Sequence, residues 1–232
     1  MIKAVFFDLD DTLFDHKHSR LCGLKALQEK INELKTVPIR QLEYEHETIL
    51  NSSYQKVLEH KVTVEDSLVD RIGNLCIMHG VQVSPDEVRS YANLYDREYK
   101  MNRRSVPGSK ELLKLLRDHV KTGVITNGLV REQQEKIRVC QLGDLIDYLI
   151  ISEEVGHSKP SSVIFEEALK RAGVEPFETL YVGNSWDHDV LPAMRCGIRT
   201  VWLNRYGLQC PDSGASMEIN SYIGLDIQKI FF

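Results

Sequence analysis

The sequence predicts an α/β fold: an open parallel sheet core into which a small all-helical domain is inserted. Three observations carry this reading. Short apolar runs recur along the chain, helical patterns alternate with them from residue 110 onward, and no strand pattern stands between residues 17 and 101. Strand–helix alternation is what right-handed parallel crossovers require.

The elements follow in order. Ala4-Val5-Phe6-Phe7 is apolar throughout and ended by acids and a threonine, as expected of a strand buried on both faces. Similar runs stand at Gly123–Thr126, Tyr148–Ile151, Leu180–Val182 and Thr200–Leu203. Between them, Lys110–Arg117 carries Leu112, Leu113, Leu115 and Leu116. Leu129–Cys140 is charged on one side with Ile137 and Val139 inward, and Val163–Ala172 carries Ile164, Phe165, Ala168 and Leu169. In the strandless stretch, Leu42, Ile49, Leu50, Tyr54, Val57 and Leu58 keep helical spacing, as do Leu68, Val69, Ile72, Leu75 and Cys76. Thr63 with Asp66, and Ser84 with Pro85 and Glu87, are helix-start signatures. Val106-Pro107-Gly108 marks the return to the core. After Tyr206 a loop with Pro211, Ser213, Gly214 and Ser216 precedes a short terminal element, whose Ile227, Ile230, Phe231 and Phe232 are expected on the core.

Composition narrows the function. The chain has 232 residues, 42% hydrophobic and 27% charged, an ordinary globular balance that excludes disordered and collagen-like classes. Its length corresponds to about 1.5 domains, which fits one larger domain with an insertion. A net charge of −5 offers no global field for a polyanion, so no nucleic acid is expected as partner. A pocket for a small anion remains compatible. No apolar run approaches the roughly 18–20 residues that cross a bilayer, so no membrane partner is expected. The first apolar run is cut short by Asp8, Asp10 and Asp11, unlike a signal peptide. Cys22, Cys76, Cys140, Cys196 and Cys210 are scattered without a C-x-x-C pair, which reads as free thiols of a cytoplasmic protein and no zinc site.

In open α/β sheets, ligands gather outside the carboxyl ends of the strands. Four polar clusters follow four of the five strands there: Asp8-Leu9-Asp10-Asp11-Thr12, Thr126-Asn127-Gly128, His157-Ser158-Lys159-Pro160, and Gly183-Asn184-Ser185-Trp186-Asp187-His188-Asp189. In this order they resemble the haloacid dehalogenase-like (HAD) hydrolases over essentially the whole chain, and most of all the phosphatase branch with a helical cap after the first strand. The strongest element is D-x-D-x-T at Asp8–Thr12. The resemblance implies a Rossmann-like catalytic core of residues 1–15 and 102–232, and a helical cap of residues 16–101 that closes over the sheet edge.

The chemistry of the residues agrees with that family. Asp8 is the candidate nucleophile, able to form an aspartyl-phosphate. Asp10, two residues on in extended backbone, shares its side and serves as general acid and then base. Mg²⁺ is the implied cofactor, and by resemblance Asp8, the Asp10 carbonyl and Asp189 hold it. Asn184 stands where the family more often has Asp and offers an oxygen without a charge. Lys159 offsets the charge of Asp8, Asp10 and Asp189 and orients Asp8, while Thr126 and Asn127 hold phosphate oxygens. Asp187 and His188 read as a solvent-facing helix start.

The expected function is a Mg²⁺-dependent hydrolase of a small phosphorylated metabolite: a sugar phosphate, a nucleotide or a small phosphorylated acid. Three alternatives stand beside it. These are a phosphomutase, a haloacid dehalogenase (disfavoured by Asp10), and a catalytically weak binding protein. A monomer and a homodimer are both compatible. His16, His18, Arg20, Arg103 and Arg104 read as surface charges near the domain junction, and the cap tyrosines, Tyr44, Tyr54, Tyr91, Tyr95 and Tyr99, as helix packing.

Overall fold

A computed structural model describes residues 1–209, 217–226 and 230. Cys210, Pro211, Ser213, Gly214, Ser216, Ile227, Phe231 and Phe232 lie outside the described residues. The chain opens with β1 (Ala4–Phe7) and continues through four helices, α1 (His16–Lys30), α2 (Ile39–Leu58), α3 (Val64–Met78) and α4 (Pro85–Met101). Then follow α5 (Ser109–Leu116), β2 (Lys121–Thr126), α6 (Val130–Val139), β3 (Tyr148–Ile151), α7 (Ser152–Val155) and α8 (Ser162–Ala172). The chain continues with β4 (Thr179–Gly183), α9 (Leu191–Arg195), β5 (Arg199–Leu203) and β6 (Met217–Ile219). Two compact units result: Met1–Asp15 with Arg104–Phe232, and His16–Arg103. Among the described residues, no helix is long and apolar enough to cross a membrane.

The first unit is a six-stranded, wholly parallel sheet in the order β3-β2-β1-β4-β5-β6. The predicted α/β class is therefore present. The strands run one way out from β1 and then reverse across it to β4, so the carboxyl ends of β1 and β4 form the switch point where such sheets bind ligands. All four residues of β1 are buried, which is why its run is apolar without alternation. Phe6, Ile125, Ile150 and Tyr181 on one sheet face pack with Ile164, Phe165, Ala168 and Leu169 of α8.

That packing requires a missing side chain. Gly123 pairs with Phe6 across β1 and β2, and a Cβ on Gly123 would lie 2.4 Å from the Phe6 ring. Two expectations are corrected in this unit. Val139 is 38% exposed, not inward, because α6 instead turns Gln133, Lys136 and Ile137 inward. The sixth strand, β6, was not expected. Its Met217 and Glu218 are exposed, so no apolar run announces it.

The helical unit has its own core, built from Leu24, Leu27, Leu42, Ile72, Leu75 and Tyr95. Both predicted helix starts are present. The Thr63 hydroxyl accepts from the Asp66 amide at 3.0 Å. Ser84 and Glu87 form a reciprocal box, with the Ser84 amide donating to Glu87 Oε2 at 2.8 Å. Arg20, expected at the surface, is buried and donates to Glu43 Oε1 at 2.8 Å. Tyr44 is exposed, whereas Tyr95 is buried in the core. Cys76 and Cys140 are buried, Cys22 and Cys196 are half-buried, and all four are free.

Gly123→Ala should overpack the sheet centre and cost about 1–3 kcal/mol. Urea unfolding should show a lower midpoint at an unchanged m-value, and an unchanged midpoint would refute the packing argument.

Candidate active site

β1 ends where the chemistry begins. The Asp8 amide donates to the Val182 carbonyl of β4 at 2.9 Å, extending the ladder one residue past the strand and fixing Asp8 at the switch point. Lys159 Nζ donates to Asp8 Oδ1 and Asp189 Oδ1, each at 2.6 Å, and lies 3.1 Å from the Tyr181 hydroxyl. Asp8, Lys159 and Asp189 are 6%, 4% and 1% exposed. Tyr181 Oη also donates to Asp189 Oδ1 at 3.0 Å, and Asp189 Oδ2 accepts from the Ser185 amide at 3.0 Å.

Asp189 reaches this place because Gly183 ends β4. A Cβ at residue 183 would lie 2.4 Å from Asp189 Cβ and 2.7 Å from its Oδ2. The chain then makes a π-helical turn over Trp186–Val190 that buries Asp189 and Val190. Asp187 and His188 face solvent, as expected.

Burial pushes the Asp8 carboxyl up to about 7; Lys159 opposes that rise and the negative charge of Asp189 adds to it. Burial works against the Lys159 ammonium too, but Asp189 and Asp8 hold it above its ordinary value. Burial, and then Asp189, push the Tyr181 phenol well up. It therefore stays a neutral donor.

The loop after β1 folds on itself: the Leu9 carbonyl accepts from the amides of Leu13 and Phe14, each at 2.9 Å. Thr12 Oγ1 donates to Asp8 Oδ2 at 3.0 Å. The Asn184 amide faces this loop, and with its nitrogen inward it donates to Asp10 O at 3.0 Å, Thr12 Oγ1 at 3.2 Å and Asp8 Oδ2 at 3.3 Å. That orientation is the consistent one, because the single Thr12 proton is already committed to a carboxylate. Trp202 Nε1 holds the Asn184 carbonyl at 2.9 Å.

The Asp10 carboxylate does not stand alone. Lys136 Nζ donates to both its oxygens, at 2.8 and 2.7 Å, and lies 5.4 Å from the centre of the Phe14 ring. This partner revises the charge expected from the sequence. Against Asp8, Asp10 and Asp189 stand two buried ammonium groups, Lys159 and Lys136, so the cluster sums to about −1 before any metal if all five ionise.

Thr126 is buried at the end of β2, its hydroxyl 3.3 Å from the Asn127 carbonyl. The Asn127 side chain is engaged elsewhere than the sequence suggests. Its Nδ2 donates to the Lys159 carbonyl at 2.9 Å, and its Oδ1 accepts from the Lys159 amide at 2.8 Å. Asn127 thus clamps the backbone that presents Lys159.

All seven candidates therefore gather at one sheet edge. Two further members, Lys136 and Tyr181, were not singled out beforehand. Tyr181 carried a signal, since strand alternation points it to the same face as Gly183. For Lys136 the signal was its place between Gln133 and Ile137 on one helix face.

Among the described residues, no three His, Cys, Asp or Glu side chains make a metal cage by themselves. The donors at hand are the Asp8 and Asp189 carboxylates and the Asp10 carbonyl, and the Asn184 amide oxygen joins them when that amide turns over. Hard oxygen donors with few carboxylates suit Mg²⁺, which keeps several of its waters.

Known proteins give the family and the fold. A family model described as haloacid dehalogenase-like hydrolase matches residues 2–197. A glyceraldehyde 3-phosphate phosphatase of Pyrococcus furiosus is 31% identical over 208 residues, covering 89% of this chain and 82% of the relative. The pyrimidine 5'-nucleotidase YjjG of Escherichia coli is 39% identical over 108 residues, 46% of this chain and 48% of its own. The magnesium-bound structure of the HAD-hydrolase YfnB of Bacillus subtilis superposes with a TM-score of 0.74 at 21% identity, covering 100% of this chain and 99% of that one. With the motif order, the sheet and the gathered carboxylates already in place, the family match over most of its length makes this chain a member of the haloacid dehalogenase-like hydrolases.

Proposed function

We propose that this protein is a cytoplasmic, Mg²⁺-dependent hydrolase of small phosphomonoesters that acts through an aspartyl-phosphate on Asp8. One observation carries the reading. A buried carboxylate at the switch point has one oxygen held by Lys159 at 2.6 Å and the other by Thr12 at 3.0 Å, with a second aspartate two residues on. The phosphatase names of relatives that align along most of the chain support it.

In the first step an Asp8 oxygen attacks phosphorus and the ester P–O bond breaks. Asp10 gives its proton to the leaving oxygen. In the second step a water attacks the aspartyl-phosphate, Asp10 takes the water's proton, and phosphate leaves with Asp8 restored. Lys159 keeps Asp8 oriented and offsets its charge. Lys136 donates to both Asp10 oxygens and so fixes where that carboxyl stands for its proton transfers. When bound at Asp8, Asp189, Asn184 and the Asp10 carbonyl, Mg²⁺ would neutralise phosphoryl oxygens and draw them into line. The Thr126 hydroxyl and the backbone at Asn127 are the groups offered to the other phosphate oxygens.

Three outcomes test this. Phosphate release from a panel of phosphomonoesters should require Mg²⁺, and Asp8→Asn should reduce it by a factor on the order of 10⁴ or more. Metal-independent halide release from a chloroacid would instead favour the dehalogenase reading. Lys136→Met should lower kcat about tenfold, below the 10²–10⁴ typical of a general acid–base itself, with KM little changed; an unchanged kcat removes Lys136 from the mechanism. Asn184→Asp should lower the half-saturating Mg²⁺ concentration at least about threefold, as one added charge permits. It should also lower the melting temperature of the metal-free protein, since an acid replaces the donor that faces Asp8 and Asp10. No change, or a rise in the Mg²⁺ requirement, would rule out this role.

A further inference from the structure

The helical unit holds a cation that its own acids leave uncompensated. Arg71 of α3 is partly shielded from solvent, and its Nε is fully shielded without a hydrogen-bond partner. The groups acting on it most are Tyr95, Tyr99 and Arg20, with no carboxylate among them. A guanidinium cannot relieve this by losing its proton at any ordinary pH. Its neighbour Arg20 differs, pairing with Glu43 at 2.8 Å and Glu47 at 3.5 Å. Glu43 also meets Lys17 at 3.4 Å. Among the described residues, no hydrogen bond or ion pair engages Arg71.

A second unmet group lies within reach of its charge. His46 of α2 is 1% exposed, and neither ring nitrogen has a hydrogen-bond partner. Burial, reinforced by the charges of Arg71, Arg20 and His16, holds its pKa well below the ordinary value. The ring is therefore neutral, with one N–H donor and one lone pair unsatisfied. It lies 5.0 Å from the Tyr95 ring, which in turn stacks 6.2 Å from Tyr99 at 15°. Leaving a buried donor and a shielded guanidinium nitrogen unanswered costs free energy that an accepting ligand would recover.

We propose that Arg71 and His46, walled by Tyr95, form a binding site for a small oxyanion, a carboxylate or a phosphate group. A cation is repelled there, and a neutral ligand leaves the guanidinium uncompensated. An oxyanion accepts from the guanidinium fork in a charge-assisted pair and from the imidazole N–H as well. The oxyanion is either a free ion or a group carried on a larger phosphorylated molecule.

The test follows the two side chains directly. Acetate, and separately sulfate, are titrated into the ¹⁵N-labelled full chain with Mg²⁺. The Arg71 Nε–Hε and His46 ring-nitrogen signals are followed, assigned with Arg71→Lys and His46→Gln. Both signals should shift saturably with a Kd on the order of 1 mM, a modest single-site affinity. Arg71→Met should abolish the saturable His46 shift, and Arg71→Lys should retain it in weakened form. Signals that stay put, or a His46 shift that survives in Arg71→Met, overturn the site.

Asp8→Asn protein separates this inference from the phosphatase reading, because the readout needs no turnover. In that variant, an Arg71 shift from 3-phosphoglycerate at concentrations at least tenfold below those of acetate assigns the oxyanion to a larger phosphorylated ligand. Equal concentrations assign it to a free anion.

Discussion

The ammonium of Lys159, buried between the carboxylates of Asp8 and Asp189 at 2.6 Å from each, is the constraint on which the first unit's site is built. Withdrawing three such charges from water costs several kcal/mol per ion, and only close pairing and full hydrogen bonding offset that. The surroundings supply both. Tyr181 and the Ser185 amide serve Asp189, Thr12 serves Asp8, and Asn127 grips the backbone on either side of the Lys159 Cα. Gly183 makes room for the whole arrangement. The ends of three strands and one loop are thereby tied to a single charge.

A second, separate pair handles Asp10. Lys136 reaches it from α6 with two bonds, so the two aspartates two residues apart answer to different lysines. One is held deep in the sheet edge, where burial pushes its pKa up, and the other is partly exposed. The two neighbouring carboxylates thus stand in unlike environments. Asn184 adds a neutral donor where these loops meet, its amide protons answering Asp8 Oδ2, Thr12 Oγ1 and the Asp10 carbonyl.

Much of this was legible in the chain for a simple physical reason. Four of the five predicted strands lie inside the sheet and are almost wholly buried, so burial writes them as apolar runs, with Ala4–Phe7 as the clearest case, and the edge strand β3 keeps a buried half. β6 lies at the edge with two of its three residues exposed, and its pairing with β5 leaves no local mark. Asp8, Thr126, Asn127 and Asn184 were legible because they sit at or directly after strand ends, and Lys159 and Asp189 because they complete the order of the motifs. Lys136 was not, because a lysine on an amphipathic helix reads as solvated until its partner, 126 positions earlier, is known. Val139 and Arg20 failed in the same way: helical periodicity defines a stripe, but tertiary partners decide its edges. Asn127 showed its place without its partner, since an Asn-Gly turn does not announce which backbone its side chain will hold.

The central position of β1 has a consequence for how the chain is made. Phe7 pairs with Val124 on one side and Val182 on the other, so the first strand to be synthesised has no neighbour until most of the chain exists. The helical unit, by contrast, is one continuous segment from His16 to Arg103. Its contacts are closed before β2 is complete. Local contacts form early and long-range parallel pairing is slow, so the nascent protein passes through a stage in which its helices are packed while Ala4–Phe7 waits as an unpaired apolar strand. Asp8, the proposed nucleophile, directly follows that waiting strand, and it gains its lysine only when residue 159 arrives.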